Sequence, residues 1–263
     1  MNSRRARRLS QILCSHFSSP SSVHLLVDAN SFVFVDSLVS SIRSCGFEVA
    51  FYQEPPEIYL SSPTQGAEAE ARHEPSNQLE RRIKIAKARN FLLRKALEAT
   101  NYLGDEGLVV WMDSDLLSVP VGTLPLLFSM MDSISPPGDV IVPLCTNSDG
   151  RGVYDLNSWV STSESLQRVK NGEVMFEGYG KTGRLHMGDL REGWEGRGVK
   201  LIVDLDGVGG TMIVARRHVF TVGGVTFPEE LFQGSVETEG FGLLAKHRGY
   251  RVVGAPNVLI THA

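Results

Sequence analysis

Asp113 and Asp115 stand one residue apart at the end of the apolar run Leu108-Val109-Val110-Trp111-Met112. Strand residues alternate faces, so two carboxylates at this spacing point the same way, and just past a strand's end they can share one hard divalent cation. A cation held there suits a diphosphate, whose charge it offsets. Spacing alone does not single the pair out, because Glu68 and Glu70, Asp204 and Asp206, and Glu237 and Glu239 repeat it. Context does: a buried strand gives up apolar burial to place charges where a metal or a hydrogen-bond donor compensates them.

The elements that must position this pair follow from hydrophobic periodicity. Val23 to Val27 reads as a strand, Phe32 to Cys45 as a helix ended by Gly46, and Phe47 to Tyr52 as a second strand. That is the start of a βαβ pattern, which predicts an α/β fold with ligands at the carboxyl ends of a mostly parallel sheet. Leu79 to Thr100 is a long helix with a basic set at Arg81, Arg82, Lys84, Lys87, Arg89, Arg94 and Lys95. Such a set usually marks a solvated face, but this helix directly precedes the acidic strand, and Arg89, then Arg82, are its best candidates for a bidentate phosphate contact. Further strands are predicted at 139–143 and 211–215, the latter entered through Val203-Asp204-Leu205-Asp206-Gly207-Val208-Gly209-Gly210. These glycines permit close backbone approach to a ligand or simply a tight turn, and the spacing is not that of a dinucleotide-binding loop. Glu237 to Arg248 reads as a helix whose opening carboxylates suit the macrodipole, followed by Gly249, a strand at Arg251 to Val253, and an extended Val258-Leu259-Ile260.

The 263 residues, 42% of them hydrophobic, fit one large domain. We read 1–22, basic and serine-rich, as a disordered or targeting-like tail, and 23–263 as a single domain with a flexible insertion at about 54–78. A net charge of −4 provides no basic field to attract nucleic acid. No apolar segment approaches the ~18 residues a membrane span requires. Three cysteines, Cys14, Cys45 and Cys145, are an odd number without C-x-x-C spacing, which argues against a disulfide framework and a cysteine zinc site and for small buried hydrophobes.

Seven blocks resemble, in order, the fungal Golgi mannan polymerase (Anp/Mnn/Van) α-mannosyltransferase family. They are Ala86 to Leu97, Trp111 to Asp115, Asp139 to Pro143, Tyr154 to Trp159, Val203 to Gly210, Glu237 to Gly242, and Gly249 to His262. The resemblance implies a glycosyltransferase-A fold, GDP-mannose as donor, a glycan acceptor, a divalent cation such as Mn2+, and transfer with retention. It implies Golgi residence and hetero-oligomers with related subunits, and it leaves open a non-catalytic nucleotide-sugar-binding subunit. Asp113 and Asp115 match the family's D-x-D motif and His262 its metal-ligand histidine. Within the matching blocks, Glu237, Glu239 and Asp206 are the candidate catalytic carboxylates. Tyr154, Asp155, Asn157 and Trp159 supply the hydroxyl, amide and aromatic groups that bind an acceptor sugar.

Overall fold

The computed structural model describes residues 11–14, 22–27, 39–53, 74–192 and 201–263. Two parallel strands open it, β1 (Ser22–Val27) and β2 (Glu48–Gln53), paired in register along their whole length. Residues 39–43 of the expected intervening helix are helical and 44–46 form a turn, while 32–38 of that helix lie outside the described residues, as do 54–73 of the expected insertion. Residues 11–14, inside the stretch expected as a tail, are also helical, with Ile12 and Leu13 buried. Cys14 is disulfide-bonded to Cys45, against the expectation that all three cysteines are free. The fold closes a sequence separation of 31 that an odd count and missing motif cannot reveal. Cys145 does behave as the buried hydrophobe expected, and burial pushes its thiol up to about 12.

Helix α1 (Gln78–Ala99) forms within one residue of the predicted span, and the hydroxyl of Thr100 closes it by donating to the Ala96 carbonyl. Its buried positions are Gln78, Arg82, Ala86, Ala88, Arg89 and Leu93. Stepping by three or four, the innermost stripe therefore carries two arginines, whereas the apolar Ile83, Ile85, Phe91 and Leu92 are only partly buried.

The central sheet has the strand order β3-β9-β5-β10-β4, with β8 also paired to β10. Its strands are β3 (Leu108–Met112), β4 (Leu116–Ser118), β5 (Val140–Thr146), β8 (Val203–Asp204), β9 (Met212–Arg216) and β10 (Val252–His262); a separate two-stranded sheet joins β6 (Trp159–Val160) to β7 (Leu185–His186). The α/β class expected from the sequence holds, but the sheet is mixed. Only β5 and β10 pair in parallel, while β9 runs antiparallel to both its neighbours and β4 and β8 antiparallel to β10. Parallel neighbours need a crossover, usually helical, and β9 is entered from the glycine-rich turn instead.

Alternation along β5 splits the core in two. Val140, Val142 and Leu144 face a cluster with Ala86, Leu93, Phe241 and Ala245, which lie on α1 and on α6 (Glu237–His247). Ile141 and Cys145 face Leu124, Leu127 and Met131 of α2 (Thr123–Ser133), a helix the sequence reading did not find. Three short helices, α3 (Ser163–Lys170), α4 (Met187–Glu192) and α5 (His218–Thr221), complete the described fold. No helix among the described residues is long and apolar enough to cross a membrane.

Candidate active site

Asp113 follows the last residue of β3, and its backbone N–H donates to the Thr211 carbonyl at the start of β9. Asp115 precedes β4, whose antiparallel register with β10 sets Leu116 opposite His262. The end of β3, the start of β4 and the sequence-distant end of β10 thus deliver Asp113, Asp115 and His262 to one place, with a ligand atom from each within 4.8 Å of the others. His262 Nε2 lies 3.0 Å from an Asp115 carboxylate oxygen, and Nδ1 lies 3.0 Å from the Ala263 carbonyl. The imidazole is buried and stacked on the ring of Tyr154, at a centroid distance of 3.8 Å and an angle of 7°. Two carboxylates and an imidazole form a donor set suited to a divalent cation.

Crowding is visible in protonation. Burial pushes the Asp113 carboxyl up to about 6; Arg89 opposes the rise, and Asp115, Asp155 and Glu237 add to it. The side chain still keeps 34% of its surface exposed, so the acid meets solvent.

Arg89 is the hinge between these acids and α6. Its guanidinium carbon lies over the rings of both Trp111 and Phe227, 5.0 and 5.5 Å from their centroids. Its Nε donates to Glu237 Oε1 at 3.0 Å, and one terminal nitrogen reaches the Gly210 carbonyl at 3.4 Å and Asp113 at 3.5 Å. The other terminal nitrogen, Nη1, is buried without a hydrogen-bond partner among the described residues. Glu237 adopts a left-handed backbone, φ 56°, rare for a side chain of this size, and its N–H donates to the Pro228 carbonyl at 3.0 Å. A strained residue holding a charged contact beside the acid pair is the pattern expected of a working position.

The structure separates the other expected catalytic acids from this group. Glu239 is buried between two cations, at 2.7 Å from Arg82 and 2.7 Å from Arg184. Burial raises its carboxyl above the usual range, with both arginines opposing. Asp206 accepts from the Ser161 N–H at 2.6 Å and pairs with Lys246; burial raises its carboxyl, but these partners outweigh it and hold it low.

Arg82 is likewise turned inward, to Glu239 and to the Asn157 side chain at 3.4 Å. Trp159, expected to stack on a sugar, is fully buried, with the Arg184 guanidinium 3.7 Å from its ring centroid. Asp155 accepts from the N–H and side-chain amide of Asn157 and from the Thr211 N–H, so it braces the floor beneath Asp113. Tyr154 alone of the expected acceptor set is exposed, at 45%.

The glycine run also acquires a cause. A Cβ on Gly207 would lie 2.3 Å from the Trp159 ring, one on Gly209 2.3 Å from Asp155, and one on Gly210 2.7 Å from Arg89. The close approach read from the sequence is therefore to side chains of the site itself. Arg184 and Glu177, joined at 2.9 Å, escaped the sequence reading, because K-T-G-R-L-H carries no motif and an isolated arginine reads as surface.

The Anp1 family model matches residues 58–230. The mannan polymerase I complex VAN1 subunit of Saccharomyces cerevisiae is 37% identical over 73% of this chain and 35% of its own length. The mannan polymerase complex subunit mnn9 of Schizosaccharomyces pombe is 34% identical over 78% of this chain and 59% of its own. The mannan polymerase II complex anp1 subunit of the same yeast is 34% identical over 75% and 45%. The chain thus spans 35% to 59% of the length of these curated relatives. Among solved structures, S. aureus TarS aligns over 98% of this chain and 54% of its own at 16% identity and TM-score 0.43. GalNAc-T7 with UDP, GalNAc and Mn2+ aligns over 92% and 43% at 14% identity and TM-score 0.48. The protein belongs to the Anp1 family.

Proposed function

We propose that this chain is a metal-dependent glycosyltransferase that moves mannose from GDP-mannose to a mannoside or glycan acceptor with retention of configuration. The observation that carries this reading is the convergence of Asp113, Asp115 and His262 within 4.8 Å at the ends of separate strands, next to the buried Arg89. Asp113, Asp115 and His262 would hold the divalent cation, manganese being the expected one. Bound there, it supplies Lewis-acid neutralisation of the leaving diphosphate. Arg89 brings a buried nitrogen without a partner to the same charge, where a guanidinium is worth more than in water.

Glu237, fixed by Arg89, faces the positive charge that develops at the anomeric carbon as the glycosidic bond breaks. Glu239 and Asp206, engaged by cations elsewhere, hold the walls. The relatives' names place those proteins in mannan polymerase complexes, which supports mannose as the sugar and related subunits as partners.

Calorimetric titration of GDP and GDP-mannose into the purified chain, with Mn2+ and with EDTA, tests the reading, followed by product analysis with a mannoside acceptor. Metal-dependent donor binding with turnover is expected. Equal affinity in EDTA would remove the metal from the proposal, and metal-dependent binding without turnover would move the chemistry to a partner subunit.

A further inference from the structure

Tyr154 lies on no motif-bearing strand end, is 45% exposed, and still lies almost parallel to the His262 imidazole at 3.8 Å. The stack is not an accident of two loose side chains. The Tyr154 N–H donates to the Cys145 carbonyl at 2.8 Å, and Val153 bridges to Thr146, so the residue is tied back onto the end of β5. β10 runs parallel to β5, with Thr261 opposite Thr146, and carries His262 next in line. Phenol and imidazole are thus anchored on the ends of adjacent strands.

We infer that Tyr154 is a positioning residue for the metal ligand His262: its ring face, not its hydroxyl, sets the plane of the imidazole. This rests on the proposed metal site. The two imidazole nitrogens have edge contacts, Nε2 with Asp115 and Nδ1 with the Ala263 carbonyl. If Nε2 turns from Asp115 to a cation, the Nδ1 contact remains, and one edge contact leaves the ring free to roll about it. The Tyr154 face removes that freedom. Partners that orient a metal-bound histidine are worth about 10- to 100-fold in metal affinity.

The experiment compares wild type, Tyr154→Phe, Tyr154→Ala and, as control, Asp115→Ala, all as the full chain. Free Mn2+ is measured by electron paramagnetic resonance, and the His262 ring proton by NMR in metal-free protein. In wild type and Tyr154→Phe the stacked ring shifts that proton upfield, and Mn2+ affinity agrees within about twofold. In Tyr154→Ala the proton returns downfield and affinity falls by about tenfold or more. Unchanged affinity in Tyr154→Ala overturns the inference, and so does an equal loss in Tyr154→Phe, which would assign the effect to the hydroxyl. Asp115→Ala separates the two readings. If it too binds Mn2+ as wild type does, the metal site itself has failed; if it loses the metal while Tyr154→Ala keeps it, only the positioning role has.

Discussion

Glu237 and Glu239 are two residues apart at the start of one helix and meet different cations: Arg89, beside the acid pair, and the buried couple Arg82 and Arg184. The sequence offers no way to rank them, since identical side chains at strand-like spacing share the same helix opening. The backbone breaks the tie, because the left-handed φ of Glu237 turns it toward Arg89. Glu237→Gln is therefore expected to keep metal-dependent GDP-mannose binding within about threefold and to lower turnover by at least ~100-fold, in the range of one removed electrostatic contact. Turnover at the wild-type rate would return the role to Asp206. That the two acids come together was legible from their spacing at the end of an apolar run, although the structure puts Asp115 in the turn before β4 and not on the alternation of β3. His262 was reached through family resemblance. Arg89 and Arg82 were singled out from seven cations as phosphate contacts, but their burial and their pairing with Glu237 and Glu239 were not legible, because those contacts are long-range.

Among elements, α1 connects the two halves of the site. Arg82 and Arg89 sit two turns apart on its inner stripe and each fixes one carboxylate of α6. A buried cluster of Arg82, Arg184, Glu177 and Glu239 is weak evidence for stability, yet removal of one member leaves another buried and unpaired. Arg184→Met should accordingly destabilise the fold by about 3–5 kcal/mol in denaturant unfolding. A loss under about 1 kcal/mol would mean that Glu177 and Glu239 find water or each other instead.

The cluster reaches solvent at His186, whose Nε2 lies 2.6 Å from Glu177, with Asp189 3.5 Å from Nδ1. The Glu177 hydrogen bond raises this histidine above its ordinary value, burial opposes, and both acids add to the rise. Burial raises Glu177, but the bonds from His186 and Arg184 outweigh it and keep it low, so it stays ionised across neutral pH. The stabilisation from protonated His186 is then fully present below the unfolded-state histidine value and is lost as pH rises through the higher folded-state value. As pH rises above the ordinary histidine value near ~6.5, wild type should lose stability more steeply than His186→Gln, as measured by urea unfolding at each pH. Parallel curves would detach His186 from the cluster. Element positions for α1, β3 and α6 could be read from period and glycine stops, but the antiparallel return of β9 depends on long-range pairing, and α2, apolar nearly all round, offers no contrast between faces.

At the scale of the molecule, β10 is the strand on which both core and site depend. It pairs with β4, β5 and β8, carries Val252 into one apolar cluster and Val253, Val258 and Ile260 into the other, and ends on His262. Two truncations separate these duties. A chain ending at Thr261 loses His262 and Ala263 but keeps every apolar β10 residue of both clusters, so its stability should fall by about 1 kcal/mol, for one buried imidazole and its contacts. It should melt cooperatively and fail to bind Mn2+. A chain ending at Asn257 also loses Val258 and the fully buried Ile260, together with the pairing of 259–261 to Leu144, Cys145 and Thr146. Two buried aliphatic side chains account for about 3–6 kcal/mol, which with the lost strand pairing approaches the whole margin of about 5–15 kcal/mol typical of a domain. This second chain should show no cooperative transition by circular dichroism. Wild-type Mn2+ affinity in the Thr261 truncation would remove His262 from the ligand set, and a cooperative melt of the Asn257 truncation within a few degrees of wild type would show that the sheet closes without the end of β10.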